Sequence, residues 1–393
     1  MKDHIQNNDP DALHKSYIVD ATRTPFVYDG GGFARTSPFE LSMRLSQLLL
    51  LRNRLKFECI DELFISTTHP EPSSEWHARK MELLRPKKGL SPIFIRKSCL
   101  GSLTALSLQT RMIRSGDSMA GIVMGVDQTT IGQTNSIPDF KSAIRKISPL
   151  KTRVDSPGQV KVGTTLTNHS DLQNFYRSSA IKAKSANASG RIRQQISTIW
   201  PHDSMDHIDA DEHLSHATPP LHLGGDAVRV VQGAAAILIA NGPFCQMHNL
   251  KPLGCLEQDK FVGADTSTSS QSSSLTALRE ILEARNLSPA DLDLYETHEK
   301  SATAMSQILE ELQDLDQAQE KQSLPKGAKE SISDKINVSG GSLAIGHSRE
   351  STGLRLVMSL LGNLQHLRKS RGMVLMESLE GDGSAVLLSR LSH

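Results

Sequence analysis

The feature that most restricts the fold of this 393-residue chain is one local pattern that occurs twice, a short apolar run that stops at a tight turn from which an amphipathic helix starts. In the first half, "SYIVDATRTP" (16–25) reads as strand then turn, "ELSMRLSQLLLLRNRL" (40–55) as helix, and "DELFISTT" and "IFIRKS" as strands. From Cys99 onward, Leu100, Leu103, Leu106 and Ile113 keep to one helical face, Gly116 is a stop signal, and "AGIVMGV" is a buried strand. In the second half, Leu275, Leu278 and Leu282 share one face of a helix and "LDLYETH" is a strand with a polar end. "INVSGG" (336–341) reads as a strand entering a glycine turn. Leu354, Val357, Leu361 and Leu364 line the next helix, and "GMVLMES" and "GSAVLLSR" close the chain as a strand pair. Strands alternating with helices predict an α/β fold with mostly parallel sheets, here as two similar halves.

Between the halves the pattern breaks. Residues 129–225 are polar and loop-rich, with one helical stretch, "SDLQNFYRSSAIKAKSA". The stretch is too long for an ordinary connection and reads as an inserted subdomain. Residues 1–128 with 226–250 then form the first half, and 251–393 the second. The formal charge of +1 carries no basic bias, and no basic, aromatic block suggests a nucleic-acid groove. Four scattered cysteines, Cys59, Cys99, Cys245 and Cys255, suit neither a disulfide framework nor a zinc site, so no metal is expected. The polar N-terminus lacks the apolar core of a presequence, and no run reaches the roughly 20 apolar residues of a membrane span. A cytoplasmic protein is expected.

Four separated motifs resemble one family. "SCLGSLTAL" (98–106) is similar to the thiolase nucleophile segment, and "NVSGGSLAIGHSRESTG" (337–353) to the thiolase glycine–histidine motif. "YETHEKSA" (295–302) resembles the thiolase "NEAFA" segment, and "EGDGSA" (380–385) the C-terminal glycine-rich loop. "ATRTP", "GDAVRVVQGAAAILIA" and "LKPLG" add supporting matches, so the resemblance spans residues 17–391. It implies a five-layered αβαβα fold with a CoA-binding inserted loop domain, assembled as a homodimer or homotetramer, alone or with a β-oxidation partner subunit. It also implies an acyl-CoA C-acyltransferase with coenzyme A as substrate and no resident cofactor, acting by thiolysis of 3-ketoacyl-CoA or by Claisen condensation.

By the same resemblance Cys99 is the acyl-carrying nucleophile and His347 its activating histidine. A cysteine at a helix N-terminus feels the helix dipole and free N–H groups, which lower a thiol pKa. His298 stands at the asparagine of "NEAFA", as in the thiolase subunits of fatty-acid trifunctional complexes, and would bind the thioester oxygen together with His347. The N–H groups of Cys99 and Leu379 would form the second oxyanion site. Gly346 and Gly381 would let substrate approach the backbone, and Val228 lies where a serine or threonine usually stands near CoA.

The chain also departs from the family. No cysteine follows Cys255, so the second catalytic cysteine is missing, and ungapped alignment puts Glu377 in its place. A carboxyl shielded from water could serve there as the proton carrier. "GHPxG" has become "GHSRE", which sets Ser348 and Glu350 where proline and glycine are usual. Two alternatives stay open, a decarboxylating condensing enzyme with a Cys99–His298–His347 set and a catalytically poor CoA-binding scaffold subunit.

Overall fold

The computed structural model describes residues 13–28, 31–33, 36–67, 92–127, 169–199, 207–215, 228–264, 272–320 and 331–391. Its strands are β1 (Ser16–Arg23), β2 (Glu62–Thr67), β3 (Ile93–Ile95), β4 (Ala120–Asp127), β5 (Gly233–Ala240), β6 (Gly254–Val262), β7 (Leu294–Thr297), β8 (Arg371–Glu377) and β9 (Gly383–Arg390). They form one sheet in the order β3-β2-β4-β5-β1-β6-β9-β8-β7. The longer helices are α1 (Pro38–Arg52), α2 (Gly101–Ser115), α3 (His169–Ala188), α4 (Ser273–Ala284), α5 (Ala302–Glu320) and α6 (Thr352–His366).

Helix ends follow local chemistry. Ser37 caps α1 by accepting from the Glu40 N–H at 3.1 Å, with Pro38 at the first helical position. Gly116 ends α2 in the left-handed region at φ 86°. The apolar faces of α2 and α6 then meet in the middle of the molecule. Leu103, Leu106 and Ile113 of α2 pack with Leu354, Val357, Leu361 and Leu364 of α6. The same cluster takes Phe64, Val123 and Ile237 from the first half-sheet and Val374, Val386 and Leu388 from the second. Each such side chain contributes about 1.5–3 kcal/mol on burial.

Strand alternation sends the neighbouring residues outward. Ile122 and Met124 of β4 pack with α1, while Met373 and Leu375 of β8 pack with α4 and α5. The layers are therefore helix, half-sheet, the α2/α6 pair, half-sheet, helix. The half-sheets join where Ser16, Tyr17 and Ile18 of β1 pair with Leu256, Cys255 and Gly254 of β6.

Three sequence expectations change. The sheet is mixed rather than mostly parallel: β2–β3, β2–β4 and β7–β8 are parallel, whereas β1–β5, β1–β6, β4–β5, β6–β9 and β8–β9 are antiparallel. The tight turn between β8 and β9 allows only the antiparallel pairing. "INVSGG" makes a single bridge, Ile336 to Tyr295, and no strand. Asn337 turns away at φ 47° and uses its side chain on the backbone N–H and C=O of Thr297. Strand β6 has no counterpart in the sequence reading, because most of its residues are only half-buried and give no apolar run.

Within 129–225 the described residues contain α3 and no strand of the sheet; the rest of that stretch lies outside the described residues. Asp211 anchors it. Its carboxylate takes Arg23 Nη1 and Nη2 at 2.7 and 2.8 Å and the Phe26 N–H at 2.7 Å, with both charged side chains fully buried. Among the described residues no helix is long and apolar enough to cross a membrane.

Candidate active site

Cys99 sits in the turn between β3 and α2, two residues before the helix begins. Ser98 holds the left-handed conformation at φ 44°, and the Leu100 and Gly101 N–H groups bond back to the Lys97 and Ser98 carbonyls at 3.0 and 3.1 Å. This sharp turn buries the thiol completely.

His347 comes from the second half. Its backbone N–H donates to Arg229 and its carbonyl accepts from Val231, at 2.8 and 3.0 Å, pinning it beside the segment that leads into β5. Gly346 precedes it at φ 100°, where an added Cβ would lie 2.6 Å from Val231 Cγ1, so a side chain is excluded there. His347 Nε2 lies 3.3 Å from Cys99 Sγ, and Nδ1 lies 3.1 Å from the Thr352 hydroxyl. A thiol donating to Nε2 and Nδ1–H donating to Thr352 form one consistent proton arrangement.

The electrostatics assign the resting state. Burial pushes the Cys99 thiol above its ordinary value, and the charges of Glu380 and Glu350 add to this. The Ser98 hydroxyl and the Leu379 N–H act the other way, but do not prevail. Burial drives His347 well below its usual value, helped by the charges of His298, Arg355 and Arg349. The expected lowering of the thiol by the helix terminus is thus overruled by desolvation. The pair rests as neutral thiol and neutral imidazole.

His298 follows β7, with its ring centroid 4.3 Å from that of His347. Burial lowers it to about 3. Its Nδ1 lies 3.3 Å from the Glu377 carbonyl, which can only accept, so Nδ1 carries the proton and Nε2 keeps a lone pair. That Nε2 is buried without a partner among the described residues. A neutral His298 in this tautomer accepts at Nε2.

The Glu377 carboxylate is engaged elsewhere. It bonds to the Ser272 hydroxyl, to the Ser274 N–H at 3.3 Å and to Lys300 Nζ at 3.3 Å. On the parity of β8, Val374 and Met376 face the α2/α6 layer, whereas Met373 and Leu375 face α4. Glu377 follows the second set, to the N-terminal end of α4, while its carbonyl remains at the site.

Leu379 brings its N–H to the Cys99 sulfur while its side chain is 67% exposed. Gly381 turns the same loop at φ 94°. Val228 donates its N–H to the Lys300 carbonyl at 3.0 Å and so ties the segment leading to β5 to the His298 loop. The fold therefore gathers Cys99, His347, His298 and the Leu379 N–H, and leaves the Glu377 carboxylate outside.

Two partners escaped the sequence reading. Thr352 orients His347 from the first turn of α6, five positions on, where only the fold shows the contact. Glu299 accepts from Asn337 Nδ2 at 2.8 Å, the Ser179 hydroxyl at 2.8 Å and the Leu343 N–H at 2.9 Å, joining α3 to the histidine turn. Its position directly after His298 was the one available signal. Among the described residues no cluster of three or more His, Cys, Asp or Glu is placed to hold a metal ion.

Comparison with known proteins agrees across the chain. The family models described as "Thiolase, N-terminal domain" and "Thiolase, C-terminal domain" match residues 16–242 and 250–390. The 3-ketoacyl-CoA thiolase of Escherichia coli strain 536 is 26% identical over 402 aligned residues, covering 96% of this chain and 100% of that protein. The 3-ketoacyl-CoA thiolase of Citrobacter koseri is 25% identical with the same coverage. Among solved structures, a Bacillus anthracis acetyl-CoA acetyltransferase superposes with TM-score 0.77 at 20% identity, covering 97% of this chain and 100% of the other. Human mitochondrial 3-ketoacyl-CoA thiolase in complex with CoA gives TM-score 0.75 at 20% identity, covering 97% and 99%.

Proposed function

Because this chain belongs to the thiolase family, we propose that it is a 3-ketoacyl-CoA acyltransferase in which Cys99 carries the acyl group. The observation that supports this most is the buried Cys99–His347 pair at 3.3 Å, with Thr352 behind the imidazole. In the thiolytic direction the Cys99 proton passes to His347 Nε2 as sulfur attacks the 3-keto carbon. The imidazolium so formed is steadied by Thr352. The N–H groups of Cys99 and Leu379 and the protonated Nε2 are the donors for the oxyanion.

Collapse breaks the C2–C3 bond and leaves the acyl group on sulfur. The departing acetyl-CoA carbanion takes the proton back from His347, so one residue handles the proton that the family divides between two. The thiol of coenzyme A then gives its proton to His347 and attacks the acyl-cysteine. Free Cys99 is restored and acyl-CoA leaves. Coenzyme A is substrate throughout, and the reading retains a homodimer or homotetramer as the assembled form and the cytoplasm as its compartment.

Intact-mass measurement after incubation with a panel of acyl-CoAs tests this. A mass gain equal to the acyl group, absent in Cys99→Ala, is the expected result. Acylation that survives Cys99→Ala, or none with any acyl-CoA in folded protein, overturns it; the latter outcome selects the scaffold reading.

A further inference from the structure

Glu350, in the histidine turn, reaches across to the start of the cysteine helix. It lies three positions after His347 and is 1% exposed. Its Oε2 is hydrogen-bonded to the hydroxyl of Ser66, at the end of β2. A Cβ added to Gly101, two positions after Cys99, would lie 2.8 Å from this Oε2 and 2.1 Å from Ser66 Oγ. A Cβ on Gly125 of β4 would lie 1.8 Å from the Glu350 carbonyl oxygen. Two backbones have thus come closer to Glu350 and Ser66 than any side chain would permit.

The charges around it come from every neighbouring element. Asp127 at the end of β4 accepts the Arg349 N–H at 2.7 Å and opposes a second negative charge. Arg349 favours that charge from the same turn. The charges of Glu380, from the β8–β9 turn, and of Glu350 both oppose ionisation of Cys99 in the turn before α2.

We propose that Glu350 is a positioning residue of this site, wedged between the two catalytic turns, whose protonation state sets how readily Cys99 ionises. This rests on the reading of Cys99 as nucleophile. The carboxyl lies against Gly101, the first residue of α2, and the thiol two positions before it, and two acids so placed do not ionise independently. Burial pushes Glu350 up to about 8, against the lowering effect of its Ser66 bond and with the help of Asp127. Below that value Glu350 is neutral, its O–H donates to Ser66, and it places no negative charge beside the sulfur. Above it the carboxylate accepts from Ser66 and resists removal of the Cys99 proton. A glycine at this position would leave the thiol free of that restraint.

The test is a titration and needs no turnover. The ultraviolet thiolate absorbance of the protein, with that of Cys99→Ala subtracted, reads Cys99 alone. Glu350→Gln keeps an acceptor for Ser66 and carries no charge at any pH. Its thiolate fraction at about pH 9 should exceed that of the unchanged protein about three- to tenfold, with alkylation of Cys99 by iodoacetamide unchanged at about pH 6.5. A purely structural role would move both pH values together. If Glu350→Gln does not fold, Ser66→Ala replaces it. Removing the bond that favours the carboxylate keeps Glu350 protonated to higher pH, so Cys99 again titrates lower. Coincident Cys99 titrations in variant and unchanged protein overturn the proposal, whatever the acylation experiment shows.

Discussion

Replacing Thr352 with valine isolates the group behind His347. The change is close to isosteric, and both residues are buried, at 0% and 2% exposure, so no water reaches the freed Nδ1–H. In the ground state the 3.1 Å bond to a neutral imidazole is lost, which leaves a buried donor unpaired at about 1–3 kcal/mol. When the Cys99 proton arrives at Nε2 the same bond joins an imidazolium, and such charge-assisted bonds contribute about 1.5–3 kcal/mol. Against about 0.5–1.5 kcal/mol for the same bond to a neutral imidazole, the excess in the charged state is about 1–2 kcal/mol, and each 1.4 kcal/mol or so is a tenfold rate. Thr352→Val should slow acylation of Cys99 by acyl-CoA about five- to thirtyfold, measured by quenched-flow and intact mass. Thermal unfolding should show a loss of about 1–3 kcal/mol in stability. An acylation rate equal to that of the unchanged protein would refute the idea that Thr352 supports the proton on His347.

Asp211→Asn leaves the Arg23 guanidinium buried at 0% exposure without its counter-charge. Loss of one partner of a buried pair costs about 3–5 kcal/mol, to be read from urea unfolding; a cost under about 1 kcal/mol would show that the pair does not hold residues 207–215 against β1. Stability should also fall in acid. His298 and His347 are held neutral in the fold below their ordinary values, so the unfolded chain binds protons first as the pH drops below about 6.5. For His298 the loss continues until the folded value near 3 is reached. Between about pH 6.5 and pH 5 His298 contributes a loss of about 2 kcal/mol and His347 a loss in the same direction, visible as a falling unfolding midpoint that is flatter in His298→Asn.

The sequence by itself determined which residue types are present and which faces are apolar. Leu100, Leu103, Leu106 and Ile113 on one side, and Leu354, Val357, Leu361 and Leu364 on another, were legible as helix faces because 3.6-residue periodicity is local. Gly116 as a helix stop and Gly346 in its turn were legible for the same reason, since φ preference belongs to one residue. Cys99 and His347 could be singled out by motif, although 248 positions separate them.

Their contact is different in kind. It exists because α2 and α6 bury their apolar faces against each other, which brings the ends of two chain halves to one point. The orientation of Glu377 depended on a strand parity that its neighbours Met376 and Leu375 set only once β8 had partners on both faces. Asn337 looked like part of a strand until the Thr297 backbone was there to take its side chain. Burial decided the proton as well. A helix N-terminus lowers a thiol in water, but only the packed structure reveals that Cys99 has lost its water and lies near Glu350 and Glu380. Desolvation and distant charges are sums over the whole fold, and no local stretch of sequence contains them.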